Sequence, residues 1–346
     1  MINNLLVILG AGASYDLFPS EDPNYKEIIT QDDYRPPLTK HLFKNHGVYQ
    51  TYLKDFPKAS SIASVIRGEL RGRGEDNLEE ILNELNKSDN FQRIQAYRQI
   101  PLYLQKLFFN ISNEYTEQST NYDNLVQKID DAGIQQTLFL TLNYDLFLEK
   151  SLNRIYGVQF NEINDFIQKK WALIKLHGSA DWWKRIRNNY DHSFTDGVEA
   201  INSIKENILD LSDDIYIRKN NKIRDNHSGI IYYPAISAPI NDKKNYACDE
   251  SHYNHLTQFL KTCTNIMIIG CSMTDHDLLD CLKENIQSIS RLKIVTGQKD
   301  SAIKITNRLS NGLNKPELLN IDDISTYYNG NFSTALENES IVKFLT

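Results

Sequence analysis

Leu5-Leu6-Val7-Ile8-Leu9-Gly10-Ala11-Gly12-Ala13-Ser14 is an unbroken apolar run that ends in a glycine turn. Five consecutive aliphatic residues without alternation suit a strand covered on both faces, as in a parallel sheet. Gly10 permits a tight turn, and Gly12 lets the backbone approach a pyrophosphate, whose charge the turn amides and the following helix dipole would stabilise. The third glycine of a G-x-G-x-x-G fingerprint is replaced by Tyr15. Asp32 and Asp33 stand where dehydrogenases carry a ribose-binding acid, but no second strand precedes them, so that role is discounted. Alone, the stretch also fits a purely structural strand-to-helix turn.

Further apolar runs fall at 137–142, 172–176, 230–236 and 266–270, with a weaker one at 292–296. Helical patterns lie between several of them, which predicts βαβ units. The expected fold is α/β: a Rossmann-like, doubly wound parallel sheet of about six strands with a mostly helical insertion. The gap between 9 and 137 far exceeds a direct crossover, and its pattern is helical. Residues 38–130 are therefore expected to form a helical insertion, including one long helix from Phe91 to about Tyr115, kinked or divided by Pro101. A second insertion, 181–228, is polar and expected to be partly mobile. The whole chain, 1–346, suits one large α/β domain with these insertions or two small domains.

Composition narrows the function classes. A hydrophobic fraction of 40% supports a sizeable core, and a net charge of -7 disfavours a dominant nucleic-acid surface. No apolar run approaches the roughly 20 residues of a membrane span. The apolar start lacks a basic leader, so a cytoplasmic protein is expected. The four cysteines, Cys248, Cys263, Cys271 and Cys281, include no C-x-x-C pair, and a zinc site built on paired cysteines is not expected.

Three more polar clusters follow predicted strands, where doubly wound folds bind ligands. In Thr141-Leu142-Asn143-Tyr144-Asp145, Asn143 offers a donor and an acceptor that Asp145 would orient; taken alone, the motif reads first as Asn143 capping the next helix. In Lys175-Leu176-His177-Gly178-Ser179, His177 suits a general base near neutral pH, although a lone His is more commonly a buried one bonded to backbone. In Gly270-Cys271-Ser272-Met273-Thr274-Asp275, Gly270 permits close backbone approach. Ser272 suits a ribose or phosphate, and Asp275 either a ribose or a helix cap. Pro36-Pro37-Leu38 and the segment 234–240 are secondary candidates for lining a pocket. Trp182 and Trp183 read as packing residues.

The order Gly-Ala-Gly-Ala-Ser, Leu-Asn-Tyr-Asp, Leu-His-Gly-Ser, Gly-Cys-Ser resembles the sirtuin superfamily. The forms Thr-Leu-Asn-Tyr-Asp and Lys-Leu-His-Gly-Ser look most like its bacterial branch associated with antiphage defence. The resemblance implies NAD⁺ as substrate, with Asn143 and His177 catalytic. It implies NAD⁺ contacts from Gly10, Ala11, Gly12, Ala13, Ser14, Asp145, Gly270, Ser272 and Asp275. Two departures point away from acyl-lysine chemistry: the deacylases' four-cysteine zinc module is missing after His177, and Leu142 replaces the Gln before the motif Asn. The implied activity is an NAD⁺ glycohydrolase that releases nicotinamide and ADP-ribose and depletes NAD⁺ in an infected cell, with no cofactor beyond NAD⁺ itself. A protein deacylase or a non-catalytic NAD or ADP-ribose sensor are the alternatives. Control through a homo-oligomer, or through a HerA-type ATPase partner as in related systems, is implied by the same resemblance.

Overall fold

The computed structural model describes residues 2–17, 35–45, 47–74, 78–86, 90–114, 119–237, 247–313, 324–327 and 331–346. Asp32, Asp33 and residues 238–240 lie outside them.

The opening run forms β1 (Asn4–Leu9). It pairs in parallel with β2 (Gln136–Thr141) on one side and with β7 (Asn265–Ile269) on the other. Outward from β2 lies β3 (Trp171–Lys175); outward from β7 lie β8 (Arg291–Val295) and an edge strand β9 (Ile324–Tyr327). The order β3-β2-β1-β7-β8-β9 reverses direction at β1. A doubly wound sheet opens a crevice beyond its carboxyl ends at such a reversal, here between the ends of β2, β1 and β7.

Side chains alternate across the sheet. Leu5, Val7, Leu9, Phe139 and Ile269 join the core on one face, and Leu6, Ile8, Leu138, Leu140 and Ile268 join the core on the other. The second face is covered from α9 (Glu250–Leu260), α10 (His276–Asn285) and α11 (Lys299–Gly312). Both faces being covered explains why the strands read as continuous apolar runs rather than alternating ones.

The glycine turn opens α1 (Ala11–Tyr15), barely more than one turn long. The helices of the long gap are α2 (Gly47–Leu53), α3 (Pro57–Arg73), α4 (Leu78–Asn86), α5 (Phe91–Glu114) and α6 (Asn121–Asp131). They supply much of the first core. α5 is a single helix with Pro101 inside it. Its Gln99 accepts from the backbone amides of Lys58 and Ala59 and so caps the start of α3. α7 (Phe147–Tyr156) follows β2, begins just beyond Asn143 and ends at Gly157 in the left-handed region.

One strand departs from the expected sheet. The run at 230–236 gives β6 (Tyr232–Ile236), which pairs antiparallel with β4 (Gly178–Arg185); β5 (Tyr216–Ile217) flanks β4 on its other edge. β6 therefore belongs to a separate three-stranded sheet, and the sixth parallel strand is β9. A short apolar run reports burial but not which strand it pairs with. Its partner β4 carries Trp182 and Trp183, both fully buried. The boundary drawn at 181 thus falls inside a buried strand. Beyond β4 comes α8 (Gly197–Asn202), capped by the Asp196 carboxylate. No described helix is long and apolar enough to cross a membrane.

Candidate active site

Asn143 lies two residues beyond β2, beside the glycine turn. Its Nδ2 donates to the Gly10 carbonyl and to Ser14 Oγ, each at 2.9 Å, and faces the Tyr122 hydroxyl at 3.5 Å. A carbonyl oxygen only accepts, so the amide nitrogen must be the group facing Gly10. Behind it, the Asn143 backbone N–H donates to Thr141 Oγ1 at 3.1 Å, and Thr141 Oγ1 donates to the Leu9 carbonyl at 3.2 Å. The side chain is thus fixed in the crevice and does not cap α7.

Asp145 does not hold Asn143 directly. It reaches the amide through Ser14, with which its carboxyl hydrogen-bonds. Ser14 Oγ also lies 2.8 Å from the Tyr122 hydroxyl. Burial pushes the Asp145 carboxyl above its ordinary range, against the Lys175 charge and the Ser14 hydrogen bond, which pull it down. Tyr122, from the last helix of the insertion, is buried, and its phenol is held well above its ordinary value by that burial. Sequence reasoning missed it, since nothing local marks a helical Tyr as a neighbour of β2.

The glycine turn is tied to the corner that follows β7. The amides of Gly10, Gly12 and Ala13 donate to the carbonyls of Ile269, Gly270 and Gly10, at 3.1, 2.9 and 3.0 Å. With α1 so short, the summed helix dipole is small. The glycines answer instead to close packing. A Cβ on Gly10 would lie 2.6 Å from Cys271 Cα, and one on Gly12 would lie 2.9 Å from Gly270 Cα. Gly270 itself has φ +59°, and a Cβ there would lie 2.2 Å from the Ala13 nitrogen. Its close backbone approach is therefore to the turn.

His177 stands two residues beyond β3. Its Nε2 lies 2.9 Å from Asp275 Oδ2, while Asp275 Oδ1 accepts from the Leu278 amide at 2.8 Å and caps α10. One carboxylate thus fixes a helix start and a histidine together. A carboxylate accepts, so in the neutral ring the proton sits on Nε2, and the ion pair stabilises the imidazolium once the ring is protonated. The Tyr144 ring lies 6.4 Å from the His177 ring, centroid to centroid, and its hydroxyl donates to the Ser237 carbonyl at 2.7 Å.

The structure therefore gathers two constellations at the carboxyl ends of neighbouring strands. One is Asn143 with Gly10, Ser14, Asp145 and Tyr122. The other is His177 with Asp275. Ser272 stands apart from both: its side chain is exposed and bonds to Thr274 at 3.0 Å, and its carbonyl accepts from Arg308 at 2.8 Å. Ala11 is partly exposed at the turn. Among the described residues, no group of three or more His, Cys, Asp and Glu is arranged to hold a metal ion. Cys263, Cys271 and Cys281 are buried in the core of the second face, and burial raises all three thiols, each to about 11.

The model of the SIR2-like domain family matches residues 137–314, more than half of the chain. The chain belongs to the SIR2-like domain family. The matched span runs from β2 through α11 and includes Asn143, His177, Gly270 and Asp275. The glycine turn precedes this SIR2-like span but is carried by a strand paired between two of its own. No curated protein matches the chain in sequence. Among solved structures, the chain is similar to a Sir2 enzyme studied for mechanism and regulation, at 13% identity, 99% of this chain, 92% of that chain and TM-score 0.44. It is also similar to a Sir2 homologue–NAD complex, at 10% identity, 99% and 91% coverage and TM-score 0.47. A third is a mutant Sir2 homologue in complex with ADP-ribose, at 11% identity, 99% and 91% coverage and TM-score 0.43.

Proposed function

We propose that this SIR2-like domain hydrolyses NAD⁺ at the nicotinamide–ribose bond, giving nicotinamide and ADP-ribose, and that it acts in antiphage defence by depleting NAD⁺. The observation that favours hydrolysis over deacylation is the segment after His177. The chain turns at once into β4 and the three-stranded sheet, built on Trp182 and Trp183. It contains no cysteine from 178 to 247. The stretch in which a deacylase would carry its zinc module is an apolar-cored sheet instead.

The chemistry fits the two constellations. Nicotinamide leaves NAD⁺ as a neutral molecule, so no general acid is needed. The site must stabilise an oxocarbenium-like ribose and present a nucleophile. Both N–H groups of the Asn143 amide are engaged by Gly10 and Ser14, which leaves its oxygen to accept a hydrogen bond from water or a ribose hydroxyl. His177 accepts the proton from that nucleophile, and Asp275 stabilises the resulting imidazolium. The turn and its neighbours, Gly10, Ala11, Gly12, Ala13, Ser14, Asp145, Gly270 and Ser272, would line the nucleotide side.

The test is nicotinamide release from NAD⁺ by the purified chain, alone and with an acyl-lysine peptide. Release without peptide, abolished in Asn143→Ala and in His177→Ala while both variants still melt cooperatively, supports hydrolysis. Release only with peptide indicates a deacylase, and binding without turnover indicates a sensor. Because such an activity must be restrained, we further propose cytoplasmic control by self-assembly or by a HerA-type ATPase partner. Co-purification and mass measurement would test it.

A further inference from the structure

The last residue of β3 is Lys175, and it is fully buried. Its Nζ donates to the Asp145 backbone carbonyl and to Glu149 Oε1, both at 2.5 Å. Glu149 lies on α7 and is itself buried; Ser179 Oγ donates to the same Oε1 at 3.5 Å. Burial, reinforced by Asp181, pushes the Glu149 carboxyl up to about 7 against the pull of Lys175. Glu149 Oε2 is buried without a hydrogen-bond partner among the described residues.

Stability alone does not explain this pair. Removing two charges from water costs several kcal/mol each, and apolar residues of similar volume often serve a core as well or better. Lys175 shares its face of β3 with Trp171 and Leu173, where a Met would pack. What a Met cannot do is bond to the Asp145 carbonyl. That carbonyl sits in the loop carrying Asn143, between β2 and α7. Besides the bonds of the Asn143 amide itself, the loop is tied by the Leu142 amide to the Leu9 carbonyl at 3.2 Å, the Ala180 amide to the Tyr144 carbonyl at 2.9 Å, the Tyr144 hydroxyl to the Ser237 carbonyl at 2.7 Å and the Leu146 amide to Ser112 Oγ at 3.0 Å; Lys175 is the one charged group among these ties.

We propose that Lys175 is a positioning residue for the Asn143 loop: anchored by Glu149, its ammonium fixes the Asp145 carbonyl and thereby the place of the Asn143 amide in the crevice. The kinetic part of this inference rests on the NAD⁺-cleavage reading; the structural part does not.

The decisive variant is the neutral double substitution Lys175→Met/Glu149→Gln, which leaves no uncompensated buried charge. It is compared with Glu149→Gln alone, which keeps the lysine and an oxygen for it to donate to. In the double variant, hydrogen–deuterium exchange of peptides covering 142–147 should speed at least tenfold while peptides of β1 and β7 stay unchanged. Its kcat for nicotinamide release should fall at least tenfold, with KM for NAD⁺ within twofold. Glu149→Gln alone leaves the lysine charge uncompensated and should melt at a lower temperature than wild type, yet with the lysine still donating to the Asp145 carbonyl its exchange at 142–147 and its kcat should each be perturbed at least threefold less than in the double variant. Wild-type exchange at 142–147 in the double variant overturns the proposal, as does a wild-type kcat. A double variant that fails to melt cooperatively while Glu149→Gln folds also overturns it, since the pair is then structural. If the wild-type protein releases no nicotinamide, NAD⁺ cleavage fails, and the exchange measurement still decides the role of Lys175.

Discussion

Replacing Gly270 with alanine tests whether the glycine corner is held by backbone packing. Gly270 has φ +59°, where an L-residue pays roughly 1–2 kcal/mol. The added Cβ would sit 2.2 Å from the Ala13 nitrogen, 2.5 Å from Gly12 C and 2.8 Å from Gly12 Cα. Ordinary non-bonded separation is about 3.5 Å, so the turn must retreat by about 1 Å. All three atoms are backbone, which no rotamer change relieves. Overpacking of this kind adds about 1–3 kcal/mol, giving about 2–5 kcal/mol in total. The 2.9 Å bond from Gly12 N to the Gly270 carbonyl and the 3.1 Å bond from Gly10 N to the Ile269 carbonyl lie in the path of that retreat. The assay is thermal and urea unfolding beside kcat/KM for NAD⁺, with Gly133→Ala as control. Gly133 has φ +67° and nothing within 4 Å of its added Cβ, so it carries only the conformational cost. Gly270→Ala should cost about 1–3 kcal/mol more than the control. It should also lower kcat/KM by about 10²-fold, the penalty of a 1 Å misplacement. If the two variants lose equal stability and Gly270→Ala keeps wild-type kcat/KM, the packing argument is wrong.

Asn143→Asp presents an acceptor to the Gly10 carbonyl, so it should melt about 1–3 kcal/mol less stably and release nicotinamide at least 10²-fold more slowly; undiminished release would exclude the amide's role. Asp275→Asn keeps a good helix cap but removes the charge beside His177. It should hold its melting temperature while kcat falls about 10–10²-fold, and an unchanged kcat would detach Asp275 from the chemistry. His252 is fully buried, with its ring bonded to the Ile163 carbonyl at 2.9 Å, and burial lowers its pKa below the ordinary 6.5. The unfolded chain therefore binds this proton first as pH falls. The stability from His252 is complete above about 6.5 and declines below it, by at most about 1.4 kcal/mol per pH unit. Comparing urea unfolding of wild type and His252→Phe between pH 7 and 5 checks it: the slopes should differ, and parallel slopes would refute it.

Most of the sheet was legible because burial on both faces leaves an unmistakable record. The runs at 137–142, 172–176, 266–270 and 292–296 each fall within one residue of a parallel strand. The run at 230–236 shows the limit, since apolarity does not say which neighbour a strand will choose. β9, with the sequence Ile-Ser-Thr-Tyr, is too short and too polar to register. Within the site, Asn143 and His177 were visible because each closely follows a buried strand. Their partners were not, because pairing across the fold has no local signature. Asp275 reads equally well as a cap or a ribose ligand, and in the structure it caps α10 while bonding His177. Tyr122 looks like any amphipathic-helix aromatic, and Lys175 looks like the polar end of a strand.

Gly10, Gly12 and Gly270 also bear on how this sequence can drift. A side chain on any one of them strikes the backbone of the facing segment, so two motifs far apart in the chain constrain each other. Substitutions in contact do not add: a first change there removes the room that a second would need. Variation at this corner is thereby channelled to Ala11 and Ser272, which reach solvent. A mutational library selected for folding should find those two positions permissive and the three glycines inherited as a block, whereas one selected for NAD⁺ cleavage should restrict all five.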